Sequence, residues 1–189
     1  MSETVAWASR RGYFVIAAVA LALDQASKLI VHHFLADRGA VEVIPGFFSL
    51  WYSRNPGALF GSFRDWAGPW RLILLTILPT IAVFFIAGFL RKGKIDDKPT
   101  LLGLSLILGG AAGNLIDRLF RGEVIDFLDV YVANSGLADW LIERFGTAHW
   151  PTFNIADSAI VAGACLLLLD ILRPQRSSDP APEDASAAL

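Results

Sequence analysis

The sequence predicts an all-α membrane protein: four transmembrane helices, a small β-rich outer loop and an interfacial amphipathic helix. Three observations lead there. Of the 189 residues, 54% are hydrophobic and only 18% charged, which is too apolar for an ordinary soluble domain. The apolar residues gather into four blocks that reach or approach the ~20 residues a helix needs to cross a bilayer. Basic residues crowd the alternate ends of those blocks, the pattern that orients a helix bundle in a membrane.

The first span covers residues 13–34 and is interrupted by Asp24-Gln25-Ala26-Ser27-Lys28. Asp24 and Lys28 stand four apart, so on a helix they share a face and can pair. The pair reads either as neutralisation that lets a polar turn sit in the membrane or as part of the wall of a site. Arg10 and Arg11, followed by a short apolar run and Ala20-Leu21-Ala22, have the look of a cleavable leader. Apolar character resumes at Leu29, however, which makes the block an uncleaved span. In the next loop Val41 and Val43 alternate with polar neighbours, and residues 47–52 are rich in aromatics between the turn signals Pro45-Gly46 and Asn55-Pro56-Gly57. A small strand pair at the interface is expected, with Trp51 and Tyr52 at headgroup level.

The second span, 70–90, carries Pro79 as a kink. The third, 100–120, contains Gly109-Gly110-Ala111-Ala112-Gly113, small residues that let helices approach closely. Between 129 and 149, Leu137, Trp140, Leu141 and Phe145 are interspersed with Asp139, Glu143 and Arg144 at the spacing of a surface amphipathic helix. That stretch reads as a lid or as a plain surface loop. The fourth span, 155–172, is short, opens with Asp157 and puts Ala159 and Gly163 on one face. After Arg173 the chain turns to Pro, Ser, Ala and acids, the composition of a disordered tail.

Orientation follows from the basic residues. Arg10 and Arg11, then Arg91, Lys92, Lys94 and Lys98, then Arg173 and Arg176 mark three cytoplasmic stretches. Both termini are then inside, loops 35–69 and 121–154 face outward, and Asp126 and Asp157, the latter opening the fourth span, fall on that same outer side. A carboxylate at a membrane edge is costly to keep, so a pair there suggests chemistry. Two carboxyl groups held close cannot both ionise, and one shared proton makes an acid and a base in one site. The spacing alone does not bring them together. The net charge of −2 carries no nucleic-acid footprint, and Cys165, the only cysteine, permits neither an intramolecular disulfide nor a thiolate metal site. Asp117, Glu123, Asp126 and Asp129 are close in sequence but lack histidine companions; a hard-cation site is the alternative reading, and no metal is expected. His149 reads as an exposed polar neighbour of Trp150. The rival functions are an ion-coupled transporter or channel with a proton path through Asp24, Asp117 and Asp157, and a scaffold without activity. Clustering of the acids toward one face, and no internal repeat, weigh against the transporter.

Five motifs stand in order along the chain: Asp24-Gln25-Ala26-Ser27-Lys28; Asn55-Pro56-Gly57-Ala58-Leu59-Phe60-Gly61; Gly113-Asn114-Leu115-Ile116-Asp117-Arg118; Val124-Ile125-Asp126-Phe127; and Phe153-Asn154-Ile155-Ala156-Asp157-Ser158. In these the chain resembles bacterial lipoprotein signal peptidases, the type II signal peptidases. The resemblance implies an inner-membrane aspartic endopeptidase that cleaves signal peptides from diacylglyceryl-modified prolipoproteins. It implies Asp126 and Asp157 as the catalytic pair, and Asn55, Asn114, Arg118 and Asn154 as substrate-binding or orienting residues. Asp24, Lys28, Gly57 and Asp117 carry structural roles by the same resemblance. No cofactor is implied; the partners are prolipoprotein substrates and membrane lipid, with no nucleic acid, and the chain is expected to be a monomer. Residues 1–173 would form a four-helix transmembrane aspartic peptidase domain and 174–189 a disordered cytoplasmic tail. Two departures are Ala58-Leu59, where the family has two alanines, and the longer stretch around 129–149.

The chemistry suits these residue types. An ionised aspartate can take a proton from water while its protonated partner donates to the scissile carbonyl oxygen, giving a gem-diol without a cofactor. Arg118 sits awkwardly in that scheme, since a guanidinium near a carboxylate favours ionisation; pairing with Asp117 or with a backbone carbonyl would relieve the conflict. Asparagines offer donor and acceptor without changing the proton count. Asn55 before Pro-Gly also reads as a turn, and Asn154 as a helix cap.

Overall fold

The computed structural model describes residues 3–57, 70, 73–92, 97–133 and 135–172. Its elements, in chain order, are α1 (Glu3–Leu35), β1 (Val41–Ile44), β2 (Phe48–Asn55), a π-helical turn (Ile73–Ile77) leading into α2 (Leu78–Lys92), α3 (Lys98–Phe120), β3 (Val124–Val130), α4 (Gly136–Phe145) and α5 (Ile155–Ile171). Among the described residues three helical stretches are long and apolar enough to cross a membrane: Arg10–Leu35, Ile73–Lys92 and Lys98–Phe120. The fourth expected span is α5, which has 17 residues. Phe84 and Phe85 on α2 are 74% and 73% exposed, which suits a lipid-facing rim and not a water-facing one. Cys165 lies on the exposed surface of α5. Residues 58 and 59 and the tail beyond 172 lie outside the described residues.

α3 is the central helix because small residues let its backbone touch its neighbours. A Cβ at Gly109 would stand 2.4 Å from the Ala17 carbonyl oxygen of α1, and one at Gly110 would stand 2.4 Å from the Ala156 carbonyl oxygen of α5. Any side chain there would force the helices apart. Ala17 meets Gly109 and Asp24 meets Gly113, so α1 and α3 run in parallel; Gly110 meets Ala156 and Gly103 meets Gly163, so α5 runs antiparallel to α3. One end of the bundle is tied by Arg10 Nη1 donating to the Leu90 carbonyl (3.2 Å) and Thr100 Oγ1 donating to Asp170 Oδ2 (2.7 Å). The basic stretches at the ends of α1, α2 and α3 therefore share this end. Pro79 is preceded by the π-helical turn: proline cannot donate its backbone bond, and Thr80 Oγ1 donates to the Thr76 carbonyl at 2.7 Å.

At the other end lies a three-stranded antiparallel sheet in the order β1-β2-β3. The expected strand pair is β1 with β2; the third strand extends it, with Ser53 opposite Asp126 and Asn55 opposite Val124. Residues 124–127 are all buried, so this strand lacks the apolar–polar alternation that marks a half-exposed strand in a sequence. Phe127 joins Val31 and Leu35 of α1 in a small core against Leu50, Tyr52 and Ile155. The Leu128 and Phe127 amides donate to the Phe153 carbonyl (2.9 and 3.0 Å), so the start of α5 is laid along β3.

The longer stretch does form a helix, α4. Ser135 caps it by accepting from the Ala138 amide, and Gly146 ends it in the left-handed conformation at φ 77°. Its stem is closed by Val132 N–H to the Ala148 carbonyl (3.0 Å) and Trp150 N–H to the Val130 carbonyl (2.8 Å). His149 is more than an exposed neighbour. Its Nδ1 lies 2.9 Å from Asp129 Oδ1, its ring stacks on Tyr131, and Asp129 also accepts from Ser49 Oγ at 2.8 Å.

Candidate active site

Asp126 is presented by β3 and Asp157 by the first turn of α5. Both line one cavity of about 640 Å³, together with Asn55, Asn114 and Arg118. Its remaining wall is largely apolar, with Leu74, Leu75 and Pro79 facing Ile160 and Val161. The aspartates are held by neutral amides. Asp126 Oδ2 accepts from Asn55 Nδ2 (2.9 Å) and Oδ1 from Asn154 Nδ2 (2.7 Å), while Asp157 Oδ1 accepts from Asn114 Nδ2 (2.7 Å). Asn154 reaches both acids: its Oδ1 accepts from the Asp157 amide (2.9 Å), and Asp157 Oδ2 accepts in return from the Asn154 amide (3.3 Å). This reciprocal capping box starts α5, so Asn154 caps a helix and contacts Asp126 at once.

Burial pushes the Asp126 carboxyl up to about 7 from its ordinary 3.8; the bond from Asn55 opposes the rise, and the charge of Asp157 adds to it. Asn55 Oδ1 also accepts from the Gly57 amide at 2.9 Å, which is the expected turn. Of the two ways Arg118 could be relieved, the structure uses the backbone: Nη2 donates to the Gly57 carbonyl at 3.2 Å.

Behind this site is a cluster of ions. Lys28 Nζ lies 2.9 Å from Asp24 Oδ2 and 2.7 Å from Asp117 Oδ2, all three side chains being fully buried. It also donates to Asn114 Oδ1 at 2.9 Å. Asp117 pairs a second time, with Arg121, and Gln25 bonds to Asp24 and Asp117. The sequence assigns no role to Gln25 or Arg121, although the four-residue spacing of Asp117 and Arg121 signals a helical pair. Ser158, also unforeseen, lines the cavity and donates to the Asn154 carbonyl at 3.0 Å. The acids considered as a cation site go to different partners: Asp117 to Lys28 and Arg121, Glu123 to Arg54, Asp129 to Ser49 and His149, Asp126 to amides. They do not converge as a ligand set.

Comparison with known proteins gives the family. The profile of a family described as "Signal peptidase (SPase) II" matches residues 16–173. The lipoprotein signal peptidase of Solibacter usitatus (strain Ellin6076) is 44% identical over 163 residues, covering 86% of this chain and 92% of the relative. That of Geobacter metallireducens is 42% identical over 169 residues, covering 88% and 93%. Among solved structures, a bacterial membrane enzyme determined by the in meso method at 2.3 Å superposes with a TM-score of 0.69 at 27% identity, over 90% of this chain and 93% of its own. With a family match across nearly the whole helical bundle and relatives this similar, the chain belongs to the signal peptidase II family.

Proposed function

We propose that the chain is a membrane aspartic endopeptidase that cleaves signal peptides from diacylglyceryl-modified prolipoproteins, with Asp126 and Asp157 as its catalytic pair. The observation that carries this reading is that two aspartates from separate elements line one cavity with neutral amides as their nearest partners. Such a pair can hold a single proton and move it. The pronounced upward push on Asp126 supports placing that proton on it below about pH 7. Asp157 then takes a proton from a water whose oxygen bonds to the scissile carbonyl carbon. The carbonyl π electrons move to oxygen, which receives the proton of Asp126, giving a gem-diol. In the second half Asp157 returns its proton to the amide nitrogen, the C–N bond breaks, and Asp126 recovers a proton from the gem-diol, leaving acid and amine. Asn55, Asn114 and Asn154 orient the pair, and Arg118 lines the substrate side.

Further parts of the reading are architectural. α5 serves as the fourth span, since 17 residues are at the short end of what crosses a bilayer. The bundle end bearing Arg10, Arg91 and Lys98 is cytoplasmic, which puts both termini inside and the cavity at the outer face of a bacterial inner membrane. α4 lies in the outer interface, its Leu137, Trp140 and Phe145 exposed to lipid headgroups. Asp24, Lys28, Gly57 and Asp117 shape the site from behind, and residues 1–173 work as a monomeric unit. The deciding experiment is cleavage of a purified diacylglyceryl prolipoprotein by the wild type and by Asp126→Asn and Asp157→Asn of equal fold and abundance. An inactive wild type, or either variant near full rate, would overturn the assignment.

A further inference from the structure

The reaction outlined above makes no use of Lys28, yet its ammonium is fully buried and fully engaged. A lysine has three N–H donors and no acceptor, and Lys28 Nζ meets three acceptors: Asp24 Oδ2, Asp117 Oδ2 and Asn114 Oδ1, at 2.9, 2.7 and 2.9 Å. Each of the two carboxylates has a second task. Asp24 Oδ1 accepts from the Ala156 amide at 2.9 Å, one residue ahead of Asp157. Asp117 Oδ2 accepts from the Ile125 amide at 3.3 Å, one residue ahead of Asp126. The two acids that Lys28 bridges thus hold the two backbones from which the cavity aspartates project.

The third bond acts on an amide. Because an ammonium can only donate, Asn114 must turn its oxygen to Lys28, which leaves its NH₂ for Asp157 at 2.7 Å. Asn154 Nδ2 reinforces the same orientation by donating to Asn114 Oδ1 at 3.1 Å. A buried ion pair serving only to join helices has no need of this contact, nor of both bridged acids holding the amides adjacent to Asp157 and Asp126.

We propose that Lys28 is a positioning residue for the dyad: one buried ammonium sets the separation of the two aspartate-bearing backbones through Asp24 and Asp117, and aims the Asn114 amide at Asp157. The proposal rests on the peptidase reading. Its test is steady-state cleavage of a diacylglyceryl prolipoprotein by the purified full chain, with the pH–rate profile, for wild type and for the double variant Asp24→Asn/Lys28→Met. That pair removes one acid and one cation together, and Asp117 keeps Arg121, so no buried charge is orphaned. We expect a folded protein with kcat lowered about 100-fold, the scale of a roughly 1 Å misplacement of catalytic groups. KM should stay within about threefold, the mark of an interaction felt in the transition state and not in binding. The pH–rate profile should shift, because a freed Asn114 can turn its oxygen toward Asp157. A folded double variant with wild-type kcat and pH–rate profile would overturn the proposal.

Where the double variant does not fold, Lys28→Arg decides. It keeps the charge and the donors, but its planar head cannot place them as a single ammonium does in a fully buried site. We expect a drop in kcat of about tenfold with a shifted profile; wild-type values for both would sink the idea. A wild type that cleaves nothing defeats the peptidase reading, whereas a competent wild type accompanied by unaffected Lys28 variants defeats this inference alone.

Discussion

Two pairs of aspartates sit at the same end of one helix bundle and are treated in opposite ways. Asp24 and Asp117 are fully buried against Lys28, with Arg121 added to Asp117. Asp126 and Asp157 are held by Asn55, Asn114 and Asn154, which carry no charge. A buried ammonium fixes a carboxylate by charge and geometry, whereas an amide donor satisfies its oxygens without bringing a formal charge. The same residue type thus becomes a fixed joint in one place and, on the proposed function, a reagent in the other.

The contrast can be broken by substitution, and the effects should be graded. Asp126→Asn or Asp157→Asn should lower kcat by about four orders of magnitude or more, as loss of one member of a concerted catalytic set does, while the variants still fold in detergent. Asp117→Asn should act the other way round. It leaves Arg121 without its buried partner and Lys28 with one carboxylate in place of two, a loss of roughly 3–5 kcal/mol that a melting curve would register as a large fall in Tm. Asn154→Ala belongs to both classes: a kcat reduced about 100-fold through lost orientation of Asp126, and roughly 1 kcal/mol of stability through the missing cap of α5.

Titration sharpens the comparison further. The carboxyl of Asp126 in the folded protein, at about 7, lies above its ordinary 3.8. Folding therefore favours the protonated form, so this group's contribution to stability is complete below the lower value and is lost as pH rises through the upper one. Wild-type stability should fall relative to Asp126→Asn between those limits, and cleavage should decline above about pH 7 as the acid loses its proton. Melting curves and rates taken across the range would check both. The smallest effect should come from His149→Ala. Its partner Asp129 is buried, but the imidazole is 51% exposed, so a loss of about 1 kcal/mol or less is expected from a solvent-screened pair.

Much of this was legible in the sequence because its signals are local. Asp24 and Lys28 declare a helical pair by their spacing, Gly109 and Gly113 a close helix crossing, Asn55-Pro56-Gly57 a turn, and the stretch 129–149 an amphipathic helix within it; each matches what the fold contains. What escaped is non-local. Strand β3 is buried throughout its first four residues, so it shows no alternation, and its pairing with β2 depends on a partner some seventy residues away. The link from Lys28 to Asn114 crosses from one helix to another, and no spacing rule reports it. His149 is exposed as expected, but its contact with Asp129, across the stem of the α4 excursion, is non-local and showed in no spacing.

The π-helical turn at Ile73–Ile77 bears on how such a cavity is lined. In an α-helix each residue advances the side-chain direction by about 100°, so Leu75 and Pro79, four apart, share a face while Leu74 would point well away. The wider turn, with its five-residue bonding, brings Leu74 round, and all three residues line the cavity. Deleting a single residue here would restore the regular pitch and carry one leucine out of the wall, leaving every other side chain of the cavity as it is. The register of this one turn therefore decides how much leucine the wall beside Asp126 and Asp157 presents.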